Sequence, residues 1–563
     1  MNRHFLGFDA CGGKICLSPD ERRAHMHVIG SSGSGKSKFL EWLMRGDLDN
    51  GQGFCLIDPH GELYEEVVHY AAHKVLRRDI ILLNLSKPDS IIGFNPFEPS
   101  LDVDTSAQVD RRIAATLRAW NVRSTDETPT LERTLRLVYT IMIEQNLGLG
   151  EVNHLISYQA REVRAHLVER LQSPLIQKEW EELQKLSRRE WQEEVLSAKN
   201  RLFRLLTSGT LSRFMGLPGR SLDLGSIIEK DKVLLVNLAA SDSLSSENGR
   251  VFGALLVNEF FEAAKRRTKD RFGRDPKPFF LYIDEFQNFV TLDIGDMLDQ
   301  VRKRGLFAIL AHQRFGQLDE NITDAALANC HIKAVFGGLP VSSARLMAEE
   351  LFIGKLDPMR VKVALYQTKF WPKYARDTVY GTGSSRGSSR GSGRHSAFGS
   401  FSSSGSGEFF GPGDWFDGSG GSSTSSQSGN SWVSGSSDME VDSDSSTESQ
   451  ADIPIFEPVP FQELSSVQHY TPEEQILEFT AALKQQFPRH CFIKIHQEDA
   501  QPMLVPLVER FRTRAKNLGW YREKLFTKQK ALPAAEVDRL IEARETRLLQ
   551  ELKKSDLPEE FRE

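Results

Sequence analysis

The sequence predicts an α/β fold built on a doubly wound, mainly parallel sheet. Three observations predict it. Short apolar runs alternate with helical patterns over residues 26–85 and again over 232–336, the pattern of βαβ units. The first run passes directly into a glycine loop and then a helix. A later run ends in two adjacent carboxylates.

Residues 1–25 read as a small β element. Met26 to Ile29 is a short strand, followed by Gly30-x-x-x-x-Gly35-Lys36-Ser37 and by the helical spacing of Phe39, Leu40, Trp42 and Leu43. This order is the context a phosphate-binding loop needs. Glycines let the backbone wrap an anion, and the helix end directs N–H groups at it. The candidate nucleotide contacts are therefore Gly30, Ser31, Ser32, Gly33, Ser34, Gly35, Lys36 and Ser37. Lys36 is suited to the outer phosphates of ATP and Ser37 to a magnesium ion.

Gly53 to Asp58 is a buried strand by its continuous apolar run. It leads into Asp58-Pro59-His60-Gly61, readable as turn chemistry or as a site contact. A helix near 63–76 and a strand at 80–85 follow, and Gly93-Phe-Asn-Pro-Phe97 closes the segment. From 105 to 210 helical faces appear without a strand signal, such as Ile113/Leu117/Trp120 and Leu131/Leu135/Val138/Met142. This stretch predicts an all-α insertion. Strands resume at 232–238, 279–284, 306–311 and 331–336, and a basic loop spans 265–274.

Residues 376–452 are dominated by Ser and Gly and hold too little apolar surface to offset ordering entropy, so a disordered segment is expected. Thr471-Pro-Glu-Glu is a helix start. Residues 491–495 read as one more strand, and 534–554 as a charged helix with Leu540, Leu548 and Leu549. The expected divisions are 1–104, 105–210, 211–375, 376–452, 453–530 and 531–563.

Phe279-Phe-Leu-Tyr-Ile-Asp284-Glu285 delivers two acids to a strand end. After a phosphate loop, this assigns Asp284 to the magnesium shell and Glu285 to polarising a water. Gln313, after the neighbouring strand, is placed to sense the outer phosphate. Arg302 ends the helix before that strand. It either complements the helix dipole or reaches a neighbouring subunit's site as an arginine finger.

Composition narrows the setting. The 563 residues carry a net charge of −6, so nucleic-acid contact would need local patches or an assembled channel. The five cysteines are scattered, which disfavours zinc and disulfide frameworks. No signal peptide or apolar run of membrane-spanning length is present. A cytoplasmic protein is expected, brought to the inner membrane only by a partner.

The phosphate loop, Ile57-Asp58-Pro59-His60-Gly61-Glu62, Gly93 to Phe97, Tyr282-Ile-Asp-Glu-Phe286 and Arg302 to Gln313 resemble, in content and order, the HerA/FtsK superfamily, and within it the type IV secretion (conjugative) coupling proteins and HerA-like DNA translocases. The resemblance covers most of 20–345 and the strand near 491. It implies a RecA-like motor domain of the additional-strand, catalytic-glutamate type, a homo-hexameric ring with ATP and magnesium between subunits, and DNA in the pore. It implies catalytic roles for Glu285, Gln313 and Arg302, metal contacts from Ser37 and Asp284, and a relaxosome, secretion-channel or nuclease partner. Coupling proteins usually carry an N-terminal membrane anchor and the HerA branch an N-terminal barrel. About twenty-five residues precede the loop here. The function expected is an ATP-driven DNA translocase, with loops at 265–274 and 512–530 as DNA contacts. A nucleotide-switched protein adaptor and a HerA-like motor serving a separate nuclease are the alternatives.

Overall fold

The computed structural model describes residues 3–99, 103–120, 122, 129–217, 222–269, 271–290, 294–385, 396–405, 425–434 and 445–555, and of 375–454 and 552–555 the backbone alone. The chain divides into two units, 1–360 with 470–563, and 361–469.

The first unit opens with a hairpin, β1 (His4–Phe8) and β2 (Lys14–Leu17), then β3 (Met26–Ile29), α1 (Lys36–Asp49), β4 (Phe54–Asp58), α2 (Glu62–His73), β5 (Ile80–Asn84) and the short β6 (Ser90–Ile91). Helices follow without a strand among the described residues: α3 (Thr105–Ala119), α4 (Pro129–Glu144), α5 (Val152–Ile156), α6 (Arg161–Glu169), α7 (Pro174–Lys185), α8 (Arg188–Leu206), α9 (Gly209–Met215) and α10 (Leu224–Glu229). The α/β alternation resumes with β7 (Val233–Asn237), α11 (Ser246–Lys265), β8 (Phe279–Ile283), α12 (Ile294–Arg302), β9 (Leu306–His312), α13 (Glu320–Asn329), β10 (Ile332–Phe336) and α14 (Val341–Phe352).

One eleven-stranded sheet organises this unit, in the order β2-β1-β16-β15-β10-β3-β9-β8-β4-β7-β5, where β15 is His490–Ile495 and β16 is Gln501–Leu504. The seven strands from β10 to β5 run parallel. β15, β16, β1 and β2 extend the sheet antiparallel beyond β10. The central strands are buried on both faces, which explains their unbroken apolar runs. Their side chains alternate between two cores. Val28, Leu56, Leu82 and Tyr282 meet Phe39 and Leu43 of α1 and Val67 and Val68 of α2. Ile57, Leu83, Val236 and Ile283 meet Ile113, Leu135, Val138 and Ile141 of the helical stretch. Residues 105–217 thus share a continuous core with the sheet. Trp180 and Trp191 are fully buried there, and the Arg164 guanidinium lies 4.1 Å from the Trp191 ring centroid.

Beyond α14 the chain returns as α15 (Pro472–Lys484), with the capping box that Thr471 and Glu474 predict. The stretch 512–530, expected to be a loop, is instead mostly α16 (Ala515–Gln529). Tyr521 and Leu525 anchor it, Arg522 pairs with Glu65 at 2.6 Å, and Lys528 pairs with Asp79. The helix corrects the expectation of a loop here. The last helix, α17 (Ala534–Ser555), packs on the helical stretch through buried Val537, partly buried Leu540 and Leu548, and an Arg213–Asp538 ion pair at 2.8 Å.

The second unit holds two antiparallel ladders, β11 (Val361–Ser385) with β14 (Ser445–His469) and β12 (Ser396–Gly405) with β13 (Ser425–Ser434). In the first, Tyr366 faces Leu464, Phe370 faces Pro460 and Tyr374 faces Phe456. Within the segment expected to be disordered, 386–395, 406–424 and 435–444 lie outside the described residues. No described helix is long and apolar enough to cross a membrane.

Candidate functional site

The phosphate loop leaves β3 at the carboxyl edge of the sheet. Gly33 and Gly35 take φ values of 79° and 105°, the left-handed region that glycine enters without strain. Gly30 is required by proximity, since a Cβ there would stand 2.5 Å from Phe336 Cβ. Gly35 is the N-cap of α1, and no side chain caps the helix. Its first-turn N–H groups are thereby left for an anion.

The loop is braced from outside. Ser31 donates from its backbone N and its hydroxyl to Gly337 O, at 3.3 and 3.1 Å. The Arg489 backbone N donates to Ser34 O at 2.9 Å. Arg489 itself sits at φ 71° and donates through Nε and Nη2 to Val505 O.

Strand order brings the acids to the loop. β9 lies between β3 and β8, so Gln313, just past β9, stands between the loop and Asp284–Glu285. Lys36 is buried, with Nζ 3.1 Å from Glu285 Oε1 and 3.3 Å from Asp284 Oδ1. Gln313 Nε2 donates to the same Glu285 Oε1 at 2.8 Å, and Gln287 Nε2 donates to Oε2 at 2.7 Å. Glu285 has φ 49°, a strained value for a side-chain-bearing residue, and its N–H is turned onto Asp284 Oδ1 at 3.1 Å.

The two acids are driven apart electrostatically. Burial pushes the Asp284 carboxyl up, opposed by Lys36 and reinforced by Glu285. Burial also raises Glu285, but Lys36, Gln287 and Gln313 outweigh it and hold that carboxyl below its usual range. Lys36, Gln287 and Gln313 thus favour the ionised form of Glu285. An ionised glutamate, a buried lysine, the Asp284 carboxylate and the Ser37 hydroxyl at a helix N-terminus form a donor set that fits a nucleotide's phosphates with magnesium.

Asp58 contributes to the turn. Its carboxylate accepts from His60 N and Tyr64 N, both at 2.9 Å, which starts α2. Arg302 is not brought to this site. Its guanidinium bonds His331 Nε2, at the residue before β10. That is the amino edge of the sheet, about 17 Å from the loop by the rise of a five-residue strand.

Sequence reasoning overlooked several groups. Gln287 follows the acid pair closely, in the mixed run Phe286-Gln-Asn-Phe289. His27 and His312 are fully buried on β3 and β9, with Nε2 atoms 2.8 Å apart and stacked rings. Each was visible as a polar residue inside an apolar strand. The Arg489 contact had no local signal, since 454 residues separate it from Gly35.

Residues 9–247 match the family model described as Helicase HerA, central domain, and residues 278–360 match that of the TraM recognition site of TraD and TraG. No curated protein matches the sequence. Among solved structures, the chain is similar to the unbound monoclinic form of the bacterial conjugative coupling protein TrwBΔN70, at 13% identity over 91% of each chain with a TM-score of 0.49. It is similar to the plasmid coupling protein TrwB in complex with ADP and Mg2+, at 18% identity over 61% of this chain and 77% of that one, TM-score 0.43. It is also similar to VirB4 of Thermoanaerobacter pseudethanolicus, at 14% identity over 62% and 87%, TM-score 0.41.

Proposed function

We propose that this chain, whose residues 9–247 match the HerA central-domain model and 278–360 that of the TraM recognition site of TraD and TraG, is a motor of the HerA/FtsK superfamily and its coupling-protein branch that hydrolyses ATP to move DNA. The observation that carries the reading is the convergence of Lys36, Glu285 and Gln313 at the phosphate loop, from three adjacent strands of one parallel sheet.

Bound ATP with magnesium supplies an activated phosphoanhydride whose charge the metal partly neutralises. The loop from Gly30 to Ser37 binds the phosphates, Lys36 orients the outer ones, and Ser37 and Asp284 hold the magnesium. Glu285, kept ionised, takes the proton of the attacking water at a carboxylate oxygen. Gln313 orients that carboxylate through its amide. In this reading copies of the chain close into a homo-hexameric ring, Arg302 serves a neighbour's site, and DNA occupies the pore. A relaxosome, secretion-channel or nuclease partner meets the ring.

ATPase activity measured with and without DNA at low salt tests the proposal. Stimulation by DNA, abolished in Lys36→Ala and Glu285→Gln, supports it. Turnover unmoved by DNA would favour the second reading, a nucleotide-switched adaptor. That reading draws on the exposed aromatic face of Tyr366, Phe370, Tyr374 and Phe456, a surface suited to a protein partner.

A further inference from the structure

Lys36 gives the phosphate loop a direction. Its Nζ stands 3.1 Å from Glu285 Oε1, on the flank of β9 and β8, so the outer phosphate of a bound nucleotide belongs on that flank. The inner phosphate and the nucleoside then extend to the other flank, where β10 and β15 lie beyond β3. β15 runs antiparallel to β10, with Cys491 opposite Phe336, and therefore starts at the carboxyl edge of the sheet. The residues just before it stand beside the loop. Arg489 N donates to Ser34 O at 2.9 Å, and Arg489 Cα lies 3.1 Å from where a Cβ on Gly35 would stand.

Two large apolar side chains are exposed next to this contact, Phe487 at 75% and Leu507 at 71%. Each lies two residues beyond the Arg489–Val505 pair. Val505 N donates to Arg489 O at 2.9 Å, and the Arg489 guanidinium donates to Val505 O through Nε at 3.0 Å and Nη2 at 2.8 Å. Two residues span at most about 7 Å, so Phe487 Cα is within that distance of the backbone that touches the loop. The backbone carrying the ring is fixed. Gly338 N donates to Lys484 O at 3.0 Å, Gln486 Nε2 to Val335 O at 3.1 Å, and His490 N to Phe487 O at 3.0 Å. Pro488 biases Phe487 toward extended backbone. The ring itself meets His490 edge-on, with centroids 6.2 Å apart. An exposed aromatic face on a fixed backbone is a stacking platform for a planar base.

We infer that Phe487 stacks on the purine base of the bound nucleotide, with Leu507 along the edge of that base, and that the Arg489–Ser34 contact sets the distance between ring and phosphate loop. The inference rests on the nucleotide site proposed above and extends it from the phosphates to the base.

The test uses the full chain and calorimetric titration with ADP and with pyrophosphate, each in the presence of magnesium. Phe487→Ala weakens ADP binding roughly 5- to 150-fold, the range expected for one lost stacking contact, and leaves pyrophosphate binding as in the wild type. Phe487→Trp restores ADP binding. Leu507→Ala weakens ADP binding by a smaller factor and again spares pyrophosphate. Wild-type-like ADP binding in Phe487→Ala overturns this inference alone. Equal weakening of pyrophosphate shows that the change acts through the loop and overturns the stacking assignment. A wild-type protein that binds neither ADP nor pyrophosphate overturns the nucleotide site and this contact together.

Discussion

Lys36 Nζ and Glu285 Oε1 are 249 residues apart in the chain and 3.1 Å apart in the fold. This contact joins the phosphate loop to the acid strand. Glu285→Gln keeps the shape and removes the base. ATP binding should persist while turnover falls about 10²- to 10⁴-fold. Lys36→Ala should lose ATP binding as well. It also leaves two buried carboxylates without their cation, an effect on the order of 3–5 kcal/mol for a broken buried pair. Nucleotide binding and urea unfolding of the two variants separate these effects. Full turnover in Glu285→Gln would remove Glu285 from the reaction.

In the proposed reaction Gln313 acts through Glu285, whose Oε1 its amide touches at 2.8 Å. Gln313→Ala should lower kcat by about 10-fold or more and leave KM nearly unchanged, as for a group needed only in the transition state. Gln313→Glu should be worse, because it sets a second carboxylate against Glu285. A rise in KM at unchanged kcat would instead make Gln313 a binding residue.

Arg302 lies at the opposite edge of the sheet from Lys36 in the same copy, held by His331. If it completes a neighbour's site, Arg302→Ala alone should lose ~10³-fold or more in rate. Mixing it with Lys36→Ala should recover part of the activity, because some interfaces then pair an intact lysine with an intact arginine. A mixture as inactive as its components would sink the shared-site reading.

What the sequence disclosed was local. β3, β4, β8 and β9 announce themselves because a strand buried on both faces is an unbroken apolar run. Thr471 and Glu474 announce α15 because a capping box spans four residues. β16 is four residues with Pro502 among them, and gains its place only by pairing with β15 and β1. α16 buries just Tyr521 and Leu525, one turn apart, too narrow a stripe to stand out among its lysines and arginines. In the site, the identities of the acids and the lysine were legible from motif context. Gln287 on Glu285, Gly337 under Ser31 and Arg489 on Ser34 are contacts made by tertiary folding, which no spacing encodes.

Gly35 is where that tertiary brace becomes testable. Its φ is 105°, and an added Cβ would lie 2.9 Å from Arg489 N, a backbone atom that the Ser34 contact holds in place. Gly35→Ala should therefore distort the loop, with strain of about 1–3 kcal/mol. A fluorescent ATP analogue should bind at least 10-fold more weakly, with little change in far-ultraviolet circular dichroism. Undiminished binding would mean that the loop can shift away from Arg489 at no cost.

Acid should weaken the sheet around the site before it reaches the carboxylates. His25 accepts from Ala308 N at its Nδ1 and bonds Leu298 O through Nε2, which fixes one neutral tautomer. Burial lowers it to about 4, with Arg302 and His331 adding to the effect and the Leu298 carbonyl and Asp299 opposing it. His312 is lowered to about 3 by burial, with Lys36 adding to it. Burial likewise lowers His27, reinforced by His312 and Lys333. An unfolded chain binds protons at these imidazoles from about pH 6.5 downward, where the folded one does not. Stability is thus fully present above pH 6.5 and is lost as pH falls toward 4, by on the order of 1 kcal/mol per pH unit for each histidine. The Glu285 contribution belongs to a lower window, below its unfolded value near 4.5. The urea midpoint should fall between pH 7.5 and 5, and His312→Asn should make that fall shallower. A midpoint constant over this range would show that the buried imidazoles accept protons in the folded state.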